Sequence, residues 1–233
     1  MLRSIRLLGS FLRLNWKYLV HLPRSCYFNL KYLDLKNALR LPIFISNNCR
    51  FVNLGGSVEI RAELHAGMIK IGFTTAEVFF DERYHRGAID NSGRIVFLGN
   101  ATIGQGTRIF VKSSGELIFG ENFWGTAENA ISCHKRIEFG KSVLLAFGIL
   151  LMDTDTHQIV SATDERVLNP DKAIVIGDRV WIGCNATILK GTEIQEQSVV
   201  GAGAVVSRKF DRPHVMIAGN PAQVVREGIS WAG

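Results

Sequence analysis

The sequence predicts an all-β solenoid, a chain wound into stacked turns of short, flat strands. Two observations predict it. Ile176, Ile182, Ile188, Ile194, Val200 and Val206 recur at every sixth residue. Four places into each hexad stands a small or β-branched residue: Val180, Ala186, Thr192, Ser198 and Ala204. A helix needs apolar residues every three or four positions, and an ordinary sheet needs alternation. A sixfold period with two apolar slots two residues apart serves neither. It serves flat strands joined by tight corners, in a coil whose neighbours stack in register. Gly177, Gly183 and Gly201 each follow a branched aliphatic directly.

With 233 residues and this repeat, one elongated domain with attachments is expected over residues 51–222, preceded by a basic helical segment, 1–50, and followed by a C-terminal helix or tail, 223–233. Charge divides the same way. The chain carries +6, but residues 1–50 hold nine Lys and Arg against Asp34 alone, which is +8 and leaves −2 for the rest. On a helical wheel Arg3, Arg6, Arg13 and Lys17 fall within a sector of about 80°, opposite Leu8, Phe11, Leu12, Trp16 and Leu19. Two readings stay open. Residues 1–20 lie in the interface of an anionic membrane, or they pack their apolar side on the coil and leave the arginines in water. Pro23 is expected to end this helix, and Tyr27 to Leu41 to form a second.

From Phe51 the pattern turns β-like, with Val52, Val58 and Leu64 six apart. Residues 74–94 read as an excursion, because Phe79, Phe80 and Tyr84 break the period; it resumes at Ile95. Cys26, Cys49, Cys133 and Cys184 are scattered without a CxxC pair, as in a reduced cytosolic protein. Charges interrupt the N-terminus too often for a signal peptide, and no run reaches the length of a membrane span. Nucleic acid is not an expected partner.

The second excursion carries chemistry. Leu151 and Ile176 are 25 residues apart, so the frame is lost across 152–173, MDTDTHQIVSATDERVLNPDKA. Asp153, Asp155 and His157 alternate, and an extended chain would point all three one way. Three ionisable groups inside a narrow apolar core would be heavily penalised, so the chain leaves the coil here or this edge faces a partner surface. A histidine at the root of such a loop can act as a general base. It can equally be a surface histidine in an acidic loop. The carboxylates lack the glycine turn and further oxygen ligands of a divalent-cation site.

The hexads, the broken loop with its histidine and the ending AGNPAQVVRE (218–227) together resemble the hexapeptide-repeat acyltransferases. The nearest subgroup is that of the galactoside and maltose acetyltransferases and the O-acetyltransferases of capsule and lipopolysaccharide synthesis. The resemblance covers roughly residues 51–227. It implies a left-handed parallel β-helix, a homotrimer, acetyl-CoA as acyl donor, no metal, and a saccharide acceptor in a bacterial surface-glycan pathway. It implies that His157 deprotonates the acceptor hydroxyl for direct attack on the thioester, with Asp155 or Asp153 orienting it. Trp181 and Ala202 match contacts to the pantetheine arm, Ser207 and Arg208 contacts to the nucleotide end, and Arg226 a basic residue reaching the phosphates from a C-terminal helix. Asn129 is the candidate for the sugar-recognising asparagine. The run SRKFDRPHV departs from the family by one extra residue and lacks its double proline.

Two other readings remain beside the cytoplasmic O-acetyltransferase, whose basic N-terminus would suit work near a lipid-linked acceptor. An N-acyltransferase acting on a nucleotide-linked amino sugar would use the same base and donor. A scaffold that has lost catalysis would make the DTDTH loop an accident. A zinc-dependent carbonic anhydrase on the same coil needs three histidines at a spacing that His65, His85, His134, His157 and His214 do not show.

Overall fold

The structure, a computed structural model, describes residues 16–73 and 85–232. Its body is a three-sided parallel β-helix in which each turn gives one strand to each face. The first face stacks Ile43–Ile45, Ile69–Phe73, Ala101–Gly104, Phe123–Ala127, Leu144–Phe147, Trp181–Ile182, Val199–Val200 and Val215–Gly219. The second stacks Cys49–Leu54, Gly87–Asn91, Arg108–Val111, Ala130–Cys133, Leu150–Met152, Thr187–Leu189 and Val205–Val206. The third stacks Ser57–Ile60, Arg94–Phe97, Glu116–Phe119, Arg136–Phe139, Ile174–Ile176, Glu193–Ile194 and Lys209–Phe210.

The hexad is one face and one corner of this coil. Both apolar slots point inward: the six Ile and Val of the repeat and the five residues of the second slot are buried throughout. Each corner turns through a residue in the left-handed region, and Arg179, Asn185, Gly191, Gln197 and Gly203 repeat that conformation every six residues. At Gly183 a Cβ would stand 2.7 Å from the amide nitrogen of Ala202 in the next turn, so the stacked corners exclude a side chain. In-register stacking also builds side-chain ladders. Phe97, Phe119 and Phe139 lie at matching positions with ring centroids 5.1 and 5.6 Å apart, nearly parallel.

The N-terminal end is closed by helices. A 3-10 turn, Trp16–His21, leads into α1 (Leu22–Tyr32), followed by the short α2 (Leu35–Ala38). Pro23 begins a helix instead of ending one, because in the first turn its missing N–H is not needed and its fixed φ suits the helix. The inner side of α1 does what a further strand would do. Asn29 donates to the carbonyl of Ile43 at 2.7 Å and accepts the Ile43 N–H at 3.2 Å, while Ser25 Oγ accepts the Ile45 N–H at 3.0 Å. The open edge of the first strand is thereby satisfied by side chains. The amphipathic segment expected over residues 1–20 lies almost wholly outside the described residues.

Two further expectations are corrected. The expected excursion at 74–94 is shorter among the described residues: Gly87–Asn91 and Arg94–Phe97 are already coil strands, with Ile89, Ile95 and Phe97 buried. There is no C-terminal helix: Ala222–Glu227 is a strand, paired antiparallel with Val215–Gly219. Its β-branched Val224 and small Ala222 pack on the last turn, and strand pairing satisfies that turn's edge where a helix could not.

Candidate active site

The turn that carries the loop is longer than its neighbours. Registered partners Ile176 and Ile194 are 18 residues apart, whereas Phe139 and Ile176 are 37 apart, so this turn carries 19 additional residues. Sequence chemistry fixes where they leave. Asp153 follows the strand Leu150–Met152, and its buried carboxylate accepts the backbone N–H groups of His134, Lys135 and Arg136, each at 2.7 Å. Its own carbonyl accepts the N–H of Lys172 at the loop's return. Asp153 therefore does not orient His157; both its oxygens are engaged in tying the loop's root to the turn below. Neighbouring Cys133 is buried, and its thiol is pushed up to about 12, first by burial and then by the Asp153 carboxylate. It is not a nucleophile at neutral pH.

Beyond the root the chain closes on itself through Asn169. Its amide donates to Asp155 Oδ2 at 2.7 Å and to the carbonyl of His157 at 2.9 Å, and its side-chain oxygen accepts the N–H of Ile159 at 2.6 Å. Lys190, from the corner of a later turn, donates to Asp155 Oδ2 at 2.6 Å and to the carbonyl of Asn169 at 2.7 Å. Lys190 and then Asn169 hold the Asp155 carboxyl below the usual carboxylate range. Asp155 thus braces the backbone on either side of His157 and its carboxylate is committed to Lys190 and Asn169.

The ring of His157 is exposed, and its contact is with Thr156: Nδ1 lies 3.0 Å from Thr156 Oγ1. That hydroxyl also lies 2.6 Å from the carbonyl oxygen of Asp155, an atom that can only accept. The single hydroxyl proton goes to the carbonyl, so Oγ1 must accept from the ring, and Nδ1 carries the hydrogen. In the neutral ring this tautomer keeps the lone pair on Nε2. Thr156 has φ of 62°, an unusual conformation for a β-branched residue, and the turn it makes brings its hydroxyl back on the ring.

The other candidates separate. Ser207 and Arg208 line, with Lys135, Lys172, Lys190 and Lys209, a groove of about 560 Å³ at the corner between the second and third faces. Lys190 both lines this groove and grips Asp155, so the structure joins the groove to the root of the histidine loop. Arg208 is steadied by Gln223 of the terminal strand and lies over the ring of Phe210, 5.0 Å from its centroid. Trp181 is half-exposed on the first face, against Trp231 at 6.2 Å, whose indole donates to the carbonyl of Arg179 at 2.6 Å. Ala202 is exposed at the corner after Val199–Val200. Arg226 is exposed on the terminal strand opposite Met216, not on a helix.

Asn129 is buried at an interior corner, where its side-chain oxygen accepts the N–H of Ile149 at 3.0 Å, a bond that supports the coil. Sequence reasoning missed Thr156, Asn169 and Lys190. Asn169 had a signal, since an Asn-Pro pair opens turns; Lys190 had none, because its partner stands 35 residues earlier.

Comparison with known proteins matches this architecture. Residues 173–208 fit the family described as bacterial transferase hexapeptide (six repeats). The chain is 32% identical over 148 residues to WbbJ of Escherichia coli (strain K12), which carries the name of a lipopolysaccharide biosynthesis O-acetyl transferase; the match covers 60% of this chain and 74% of that one. It is 40% identical over 107 residues to the polysialic acid O-acetyltransferase of Neisseria meningitidis, covering 46% of this chain and only 50% of the relative. Among solved structures, the polysialic acid O-acetyltransferase OatWY superposes with a TM-score of 0.48 at 26% identity, over 80% of this chain and 88% of that one. A repeat that fills both slots of every hexad, and a third of the residues shared with a relative of which three quarters is covered, decide the family: the chain is an enzyme of the hexapeptide-repeat acyltransferases, folded as a left-handed parallel β-helix.

Proposed function

We propose that this enzyme transfers an acetyl group from acetyl-CoA to a hydroxyl of a saccharide, with His157 as general base. The observation that carries the reading is the pair of hydrogen bonds through Thr156, which select the neutral tautomer with its lone pair on Nε2, on a braced, exposed loop. The acceptor hydroxyl gives its proton to Nε2 as its oxygen attacks the thioester carbonyl carbon. The C–S bond then breaks, and the thiolate leaves with the proton returned by the imidazolium. No acyl-enzyme forms.

The cationic groove supports the donor's identity. A ligand with a 3′-phosphate and a pyrophosphate needs several fixed cations, and Ser207 and Arg208 would meet its nucleotide end there. Trp181 and Ala202 would flank the pantetheine arm, and Arg226 would add charge near the phosphates. Trp181 and Ala202 lie outside the groove of their own chain, as suits a cleft completed by a neighbouring subunit of a homotrimer. The relatives named for lipopolysaccharide and polysialic acid favour a surface glycan as acceptor. The reading places the enzyme in the cytoplasm, where residues 1–20 would approach anionic lipid.

The test is CoA release from acetyl-CoA in the presence of a panel of saccharides. Wild-type protein releases CoA with at least one acceptor, and His157→Ala loses about 10²–10⁴ of that rate. Equal rates in the two proteins would refute the mechanism. Release with amino sugars alone would favour N-acylation.

A further inference from the structure

The blunt N-terminal end of the coil is apolar where it should be wet. The inner face of α1, Ser25, Phe28 and Asn29, is buried against the first strand. Its outer face is Pro23, Tyr27, Leu30 and Lys31, all exposed and spaced as one side of a helix. Leu19 and Val20 precede this face in the chain, and Leu35, which opens α2, and Leu39, its C-cap, follow it. These six large apolar side chains, Leu19, Val20, Tyr27, Leu30, Leu35 and Leu39, are each 45–66% exposed. Sixteen such side chains are exposed among the described residues, so more than a third sit within 21 consecutive positions. Scattered surface leucines need no explanation, but a concentration on one end does.

Charge identifies what covers it. Lys31 and Lys36 stand exposed among these leucines, with Arg40 beside them. Asp34, the acid of this segment, is engaged in capping α2, where it accepts the N–H of Asn37. Among the described residues, 16–50 carry Lys17, Arg24, Lys31, Lys36, Arg40 and Arg50 against Asp34 alone, a net +5. A second copy set end to end would bring two such cationic surfaces together. The strand edge that might otherwise pair is already closed by Ser25 and Asn29. A surface that takes up leucines between lysines is the interface of an anionic bilayer.

We infer that the enzyme docks end-on to anionic membrane through the outer face of its cap, Leu19 to Arg40, with the coil standing away from the lipid. Four strand steps separate Ile43–Ile45 from Leu144–Phe147, the level of the histidine loop. At about 4.8 Å each, the loop stands about 20 Å above the cap. The docking needs nothing from the acetyl-transfer reading, and its test reads lipid binding, not turnover.

The experiment is flotation of the full chain with vesicles of phosphatidylglycerol and phosphatidylcholine, or of phosphatidylcholine alone, at low and high salt. Wild-type protein floats with the anionic vesicles only, and salt weakens it. Lys31→Glu with Lys36→Glu lowers the partition coefficient by about 30-fold or more, at about 1 kcal/mol per cation removed. Leu30→Asp with Leu35→Asp and Leu39→Asp abolishes flotation, while Leu98→Asp, off the cap on the second turn of the coil, floats as wild type. Circular dichroism checks that each variant folds, and the lysine pair decides should the leucine variant fail. Wild-type protein left at the bottom of the gradient overturns the proposal. So does flotation undiminished in either cap variant, which would assign lipid binding to residues 1–15 alone. Self-association in sedimentation that the leucine variant removes, without flotation, would make the occupant a second copy.

Discussion

Thr156→Val isolates the hydrogen bond that sets the histidine tautomer. Valine keeps the β-branch and the shape, so the turn at φ of 62° is equally demanding in both proteins. What is lost is the acceptor for Nδ1–H at 3.0 Å and the donor to the Asp155 carbonyl at 2.6 Å. Thr156 is exposed, so water replaces both partners and no buried group is stranded. With both bonds open to water, each contributes no more than about 0.5 kcal/mol net, and stability should hardly move. The catalytic effect is sharper. With Nδ1–H no longer held, the ring turns more freely and carries its proton on either nitrogen, so part of the population presents no lone pair at Nε2. A loss of about 1 kcal/mol in the transition state lowers kcat/KM by about fivefold. Because no donor or acceptor contact to Thr156 is invoked, the loss falls on kcat, with KM little changed. Continuous detection of released CoA, with a soluble acceptor varied across its KM, separates the two. Thr156→Ser restores the hydroxyl and the rate. A valine variant within twofold of wild type, or a serine variant as slow as valine, would refute the tautomer argument.

Two further outcomes are expected. Lys190 and Asn169 lower the Asp155 carboxyl below its usual range. The brace they form is therefore complete above the ordinary aspartate pKa of about 4 and is lost as pH falls through the depressed value. Limited proteolysis should cut residues 158–168 of wild-type protein faster only in acid, whereas Lys190→Met should be cut rapidly at neutral pH; equal protection of the two at neutral pH would remove Lys190 from the brace. Asn29→Leu strands the N–H and carbonyl of Ile43, both buried. At about 1–3 kcal/mol per unpaired group, Tm should drop by roughly 5–15 °C in calorimetry, and an unchanged Tm would show that the cap is not needed to close the strand edge.

Much of the fold was legible because a β-helix is a local code repeated. Ile182 and Val180 report their burial through identity and spacing alone, since every turn meets the same constraint: two inward slots per face and a corner too tight for many side chains. The loop was legible for the opposite reason, as a failure of that period, and its histidine stood out by being ionisable beside a core. The C-terminal helix was an expectation carried by the resemblance; the exposed edge of the last turn makes Ala222–Glu227 a strand instead.

The sequence by itself determined the coil, its approximate extent and the one segment that must leave it. All of these follow from burial, which side-chain identity and periodicity encode directly. Only the tertiary structure decided what Asp153, Asp155 and Asn129 do. A carboxylate or carboxamide has no fixed role until its partners are placed, and the partners come from distant turns: Asp153 meets the amides of His134 to Arg136, Asp155 meets Lys190, and Asn129 meets Ile149. Stacking brings residues 17 to 35 positions apart within hydrogen-bond reach. Local pattern contains no term for such encounters.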